Sequence, residues 1–174
     1  MKRFIKSLVL VAIFVGMAMP SWGRASPSTE GRDFWVTCLR AADDDPTELK
    51  LTFSALEACD VTIENPATGF RRQLRINDNA AVEVVMAKAD CYSSNSETPT
   101  NTALHVTSTK DISLFAGNYR DKSFDATNVL PTAALLDDYL IQTYPPSDHD
   151  NKPQGSHFAI IAVEDGQTTV DYNL

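Results

Sequence analysis

The stretch LKLTFSALEACDVTIENP, Leu49 to Pro66, decides the fold. Leu49, Leu51 and Phe53 recur at every second position, and so do Cys59, Val61 and Ile63. Successive side chains of an extended strand point to opposite faces, so a period of two makes one face apolar and leaves the other to water. Each run is therefore a half-buried strand. Pro66 to Gly69 follows as a turn, and beyond it RRQLRI (Arg71–Ile76) and AVEVVM (Ala81–Met86) repeat the pattern on either side of NDNA, whose Asn and Asp tolerate turn backbone. The four segments read as a four-strand meander.

Working outward, LHVTST (104–109), DISLFAGNY (111–119), YLIQTY (139–144), HFAIIAVE (157–164) and TTVDYN (168–173) carry the same alternation. TAALLDDYL (132–140) is the competing helical segment, since Ala and Leu favour helix. A shift of about 109 positions aligns Leu49 with Phe158, Leu51 with Ile160 and Val61 with Val170, a faint repeat of hairpin units. The fold expected is all-β: an antiparallel, sandwich-like domain of repeated hairpins, with a partial propeller-like array as the alternative. Leu51, Phe53, Val61, Ile63, Val106, Leu114, Ile160 and Val170 are expected to face inward. GRDFWVTCL (31–39) reads as a turn at Gly31 and Asp33, followed by a first strand that drives Phe34, Trp35, Val36 and Leu39 inward.

Lys2, Arg3 and Lys6, the apolar run LVLVAIFVGMAM (8–19) and the small residues of PSWGRA (20–25) form an export leader over residues 1–25. Residues 26–174 are then one domain of about 150 residues, long enough to bury a substantial core. With such hairpin units stacked, the domain is expected to be truncated relative to a longer architecture. The chain carries a net charge of −8, and loss of the three leader cations takes it to about −11. A surface of that sign repels phosphate backbones and argues against nucleic acid as a partner.

Export permits disulfides. Cys38, Cys59 and Cys91 make an odd count, so one pair and one free thiol is the simplest arithmetic. Cys38 with Cys59 is the favoured pair because both occupy strand positions on neighbouring edges, while three buried reduced thiols are the alternative. No Cys-x-x-Cys, Gly-x-Ser-x-Gly, His-Glu-x-x-His or phosphate-loop spacing occurs, so neither a cofactor nor a metal is implied and an enzyme is not expected. His105 alternates with Leu104 and Val106, and reads as an outward or hydrogen-bonded strand residue. His149 and the acidic run from Asp43 to Glu48 read as solvated turns. Arg120, among Asp111, Asp121 and Asp125, reads as a structural ion-pair cluster. Two long polar loops, 90–102 and 145–155, are the places for recognition, with Tyr92, Asn95, Thr98, Asp148, His149 and Asn151 as contacts.

GRDFWVT (31–37), ALHVTSTKDISLFAGNYRDKSFDATNVLPT (103–132), IQTYPP (141–146) and SHFAIIAVEDGQTTVDY (156–172) together resemble the IgGFc-binding protein N-terminal domain family, found in animal mucus proteins and secreted bacterial surface proteins. The segment AVEDGQTTV differs from the usual form at Val163 and Gln167. The resemblance implies a secreted or cell-surface, non-enzymatic β domain that binds an extracellular protein or glycoprotein, immunoglobulin or mucin-like, without assigning the ligand. The alternative is a structural or interaction segment of a larger surface protein.

The leader reading has a direct measurement. Secreted material is expected to begin at Arg24 or Ser26, read by intact mass, and a soluble secreted product that retains Met1 would contradict it.

Overall fold

The structure is a computed structural model that describes residues 28–39, 48–93, 97–120, 123–143, 147–149 and 152–172. The leader lies outside the described residues. In chain order the elements are β1 (Gly31–Val36), β2 (Cys38–Leu39), β3 (Glu48–Ala55), β4 (Cys59–Asn65), β5 (Phe70–Ile76), β6 (Ala80–Met86), the one-turn helix α1 (Lys88–Cys91), β7 (Tyr92–Ser93), β8 (Leu104–Arg120), β9 (Ser123–Val129), a 3-10 turn at Thr132–Ala134, β10 (Ser147–His149) and β11 (Lys152–Gln154).

Seven of the strands form one antiparallel sheet that curls into a half-barrel, so the protein is all-β as its alternation dictates. The four segments around Leu49–Met86 do not zigzag as four neighbours. They form one long hairpin bent in its middle: β3 and β4 lie end to end as one arm, and β5 and β6 as the other. Ala55 faces Ala80 and Cys59 faces Ile76, so the register carries across the corner without a slip. Asn79 supports the corner with a positive φ of 51° and donates its N–H to the Leu56 carbonyl at 3.2 Å.

Strand β8 runs 17 residues along this hairpin and bends with it. Its first part pairs with β4 on one edge and β1 on the other, and its second part with β3 and β9. Thr109, Lys110 and Asp111 are exposed at the bend. On the inside of the turn β1 takes a shortcut, its register shifting between Gly31 and Asp33. The two halves of the sheet thus present their inner faces to one core.

That core is the apolar parity of each strand. Leu51, Phe53, Val61, Ile63, Val106 and Leu114 are all buried, as alternation requires. Phe34 and Val36 are buried too, whereas Trp35 between them points outward, because adjacent residues of a strand take opposite faces; this corrects the expectation that Trp35 turns inward. Ile160 and Val170 are also corrected: they are 55% and 45% exposed, and residues 155–172 form no strand. YLIQTY, likewise, shows no regular structure over its described residues, and the 132–140 segment keeps only its 3-10 turn. Alternation says which face a strand would bury once it has a partner, and among the described residues no ladder reaches these segments. Among the described residues, β10 and β11 pair only with each other.

One buried polar side chain closes the hairpin. Asn65, 1% exposed, accepts the N–H groups of Ala67 and Thr68 at Oδ1 (3.0 and 3.3 Å) and donates from Nδ2 to the carbonyls of Asp90 and Asn101 (2.8 and 3.0 Å). Gly69, with φ of +76°, completes the turn in a conformation that side chains disfavour. Asn65 therefore forms the hairpin turn and ties both ends of the 90–102 loop to it. Buried polar groups left without partners are costly, so Asn65→Ala is expected to destabilise the protein by about 3 kcal/mol in urea unfolding. Gly31 is a second fixed point: a Cβ there would overlap Cβ of Pro131, and Gly31→Ala is expected to cost about 1–3 kcal/mol by overpacking.

Candidate functional site

The outer face of the sheet gathers polar and aromatic groups in one row. Parity turns Asp33 and Trp35 of β1 outward, along with His105 of β8 and Glu64 of β4. The ladders set Trp35 opposite His105 and His105 opposite Glu64, so three neighbouring strands place these side chains side by side. Trp35 and His105 stack with ring centroids 4.4 Å apart and planes 11° from parallel. The His105 Nε2 lies 2.8 Å from Oδ2 of Asp33, and Nδ1 lies 3.6 Å from Oε1 of Glu64.

Further partners lock both carboxylates. The Thr132 hydroxyl, just past the Pro131 that packs on Gly31 and bridges Phe34, donates to Oδ1 of Asp33. Arg71 Nη1 donates to Oε2 of Glu64 at 3.1 Å. Partial burial pushes the Asp33 carboxyl up, but the hydrogen bonds from Thr132 and His105 and the charge of the imidazole outweigh it and hold the group below the usual carboxylate range. The result is a rigid stacked pair rimmed by acceptors, with the His105 side chain 21% exposed and Asp33 47%.

The geometry does not assemble a nucleophile. A hydroxyl activated by a histidine must contact the ring nitrogen directly; here Thr132 lies on the far side of Asp33, and both ring nitrogens face carboxylates. Those carboxylates sit at opposite ends of the imidazole, so they diverge instead of converging on one point. Among the described residues no group of three or more His, Cys, Asp or Glu is placed to hold a metal ion. No described helix is long and apolar enough to cross a membrane.

The residues expected in loops are distributed differently. Tyr92 is half-buried in β7 and packs against the core, while Thr98 is exposed. Asp148 and His149 lie in β10, paired with Pro153 and Lys152 of β11. Asn95 and Asn151 lie outside the described residues, as do Asp43 to Thr47 of the acidic run. No ladder joins β7 to β10. In the expected cluster around Arg120, Asp111 is corrected: it pairs with Arg32 at 2.7 Å at the bend, roughly 20 Å along an extended strand from Asn118, which faces Asp125, while Asp121 and the Arg120 side chain lie outside the described residues. The three cysteines are buried and unbonded in the structure; Cys38 lies opposite Tyr92, the residue after Cys91, whereas Cys59, its expected partner, sits in β4 opposite Ile76.

His105 was legible as an outward, hydrogen-bonded strand residue. Asp33, Trp35, Glu64 and Thr132 were not, although the parity of DFWV already separates Phe34 from its neighbours. What local pattern omits is that β8 lies between β1 and β4. Comparison with protein-family models, with curated proteins and with solved structures yields no match for this chain.

The Asp33 contacts make stability depend on pH. A carboxyl depressed in the folded state stabilises the protein above its unfolded value, near ~3.9, and that contribution is lost as pH falls through the lower folded value. Asp33→Asn is expected to be less stable than wild type by about 1 kcal/mol at neutral pH, allowing for solvent screening. The gap is expected to narrow in acid, measured by urea unfolding from pH 7 to pH 3; a gap that stays constant would contradict the role given to the charge.

Proposed function

We propose that the protein is an exported, non-catalytic binding module that acts outside the cell or at its surface and recognises an extracellular glycoprotein through its glycan. The observation that carries this reading is the Trp35–His105 stack with Asp33 and Glu64 beside it. A sugar ring offers an apolar C–H face that stacks on an aromatic surface, and hydroxyls that donate to carboxylates. Trp35 keeps part of its surface at solvent, and the carboxylates are held in place by Thr132, His105 and Arg71. Rigid aromatic anchors with few placed polar groups suit recognition, because little conformational freedom is lost on binding.

The resemblance to the IgGFc-binding protein N-terminal domain family supports the same reading, since its members occur in mucus and on bacterial surfaces. The net charge of −8, about −11 once the three leader cations are lost, suits a neutral, hydroxyl-rich ligand better than a phosphate-bearing one. The binding chemistry requires neither cofactor nor metal. The loop residues Tyr92, Asn95, Thr98, Asp148, His149 and Asn151 form a second group of proposed contacts.

A second reading, an interaction segment of a larger surface assembly with no ligand of its own, is favoured by one observation. Phe158, Ile160, Val170 and Tyr172 lie between 42% and 64% exposed in a segment that joins no ladder. Apolar side chains in that state suit burial against a partner.

Retention of the secreted protein on immobilised mucin, immunoglobulin and free glycans separates these readings. Trp35→Ala is expected to reduce retention at least about tenfold, in line with loss of an aromatic anchor, with its melting temperature kept close to wild type. Loss of retention on shortening either loop, with Trp35→Ala unaffected, would move the site to the loops. Wild-type protein retained on no surface would favour the interaction segment.

A further inference from the structure

Two of the three cysteines meet in the core at a place that no strand pattern announces. Cys38 lies in β2 and Cys91 at the end of α1, and the parallel pairing of β2 with β7 sets Cys38 opposite Tyr92, the residue after Cys91. Both side chains are buried, at 2% and 0% exposure, in the same apolar cluster. The Cys91 thiol donates to the Ala87 carbonyl at 3.8 Å, and the two thiols interact with each other. The neighbouring residue reinforces the junction: the Thr37 hydroxyl donates to the Cys91 carbonyl at 3.0 Å and lies 3.3 Å from that of Thr102. Strands β2 and β7 contribute only two residues each to their ladder, too few to hold one another by hydrogen bonds alone.

We propose that Cys38 and Cys91 are joined as a disulfide in the exported protein, clipping the base of the 90–102 loop to β2 and leaving Cys59 as the one reduced thiol. The proposal takes its oxidant from the export reading, while the choice of partner rests on the core geometry alone. A low-molecular-weight or enzyme-borne disulfide supplies the oxidation. One of the two cysteine thiolates attacks a sulfur of that disulfide and expels a thiolate, forming a mixed disulfide. The other cysteine thiolate then attacks the protein sulfur of the mixed disulfide and expels the second thiolate. One S–S bond is exchanged for another, the cysteine pair loses two protons and two electrons, and the oxidant leaves as two thiols. With both sulfurs sealed from solvent, exchange precedes closure of the core. Native pairing then selects Cys91 over Cys59, which sits across the sheet at the corner beside Asp60.

The test uses the full chain, both secreted through an oxidising compartment and refolded in a glutathione redox buffer, so that failure of export and failure of the bond are separable. In each case the denatured, unreduced product is expected to carry one alkylatable thiol and to be lighter by two hydrogens than its reduced form. A digest is expected to link the Cys38 peptide to the Cys91 peptide. Reductant is expected to lower the melting temperature by about 10 °C, since a crosslink closing a loop of this length restricts the unfolded chain. Cys59→Ser is expected to preserve both the link and the shift. Three alkylatable thiols after refolding in the redox buffer, or a link from Cys59 to either partner, would overturn the proposal; three thiols in the secreted material alone would overturn the part of it that concerns the exported protein.

Discussion

The structure depends on the ladder of β8. Every other strand of the sheet bonds to it or to a strand that does: β1 and β9 share one of its edges, β3 and β4 the other, and β5 and β6 extend the second side. Its even-numbered residues Leu104, Val106, Ile112, Leu114 and Ala116 supply the core on both sides of the bend. Parity survives the corner because the bend falls on exposed Thr109–Asp111 and inserts no odd residue into the inner face. A slip of one position would turn every one of these side chains to water, so hydrophobic burial and backbone pairing enforce the same register.

A sheet that curls needs its edges and corners fixed by something other than apolar burial. Asn65 and Thr37 do this from opposite sides of the 90–102 loop, each bonding backbone carbonyls close to its two ends. Both are small polar residues at strand ends, where the ladder leaves peptide groups in search of partners. Loop placement is thus part of the core's construction. The contact of Cys38 with Cys91 belongs to the same junction, directly beneath it.

The outer face has a different logic. Charges there form surface pairs, across strands for Arg75 with Asp60 and Lys50 with Glu83 and along β3 for Lys50 with Glu48, which add little stability and keep the surface wet. The row from Thr132 through Asp33, His105 and Glu64 to Arg71 departs from that pattern. It contains a stacked aromatic pair, it is partly shielded, and each member restrains the next. Phe115, Tyr119 and Phe124 form the aromatic counterpart on the other half of the outer face, where the Phe124 ring covers Gly117 closely enough that a Cβ would lie 2.9 Å from it.

The amino-acid sequence by itself determined the all-β class and the inward positions of the first hairpin and of β8, because strand faces follow from a period of two that needs no knowledge of neighbours. It also made His105 an outward strand residue. Only the tertiary structure decided that β3 and β4 lie in line, that Trp35 stacks on His105, that Cys38 meets Cys91 and not Cys59, and that Ile160 and Val170 stay at the surface. Each of those facts concerns which segment lies beside which. Pairing between distant segments is settled by chain closure, corner geometry and the competition of edges for partners, and none of these is written into local alternation.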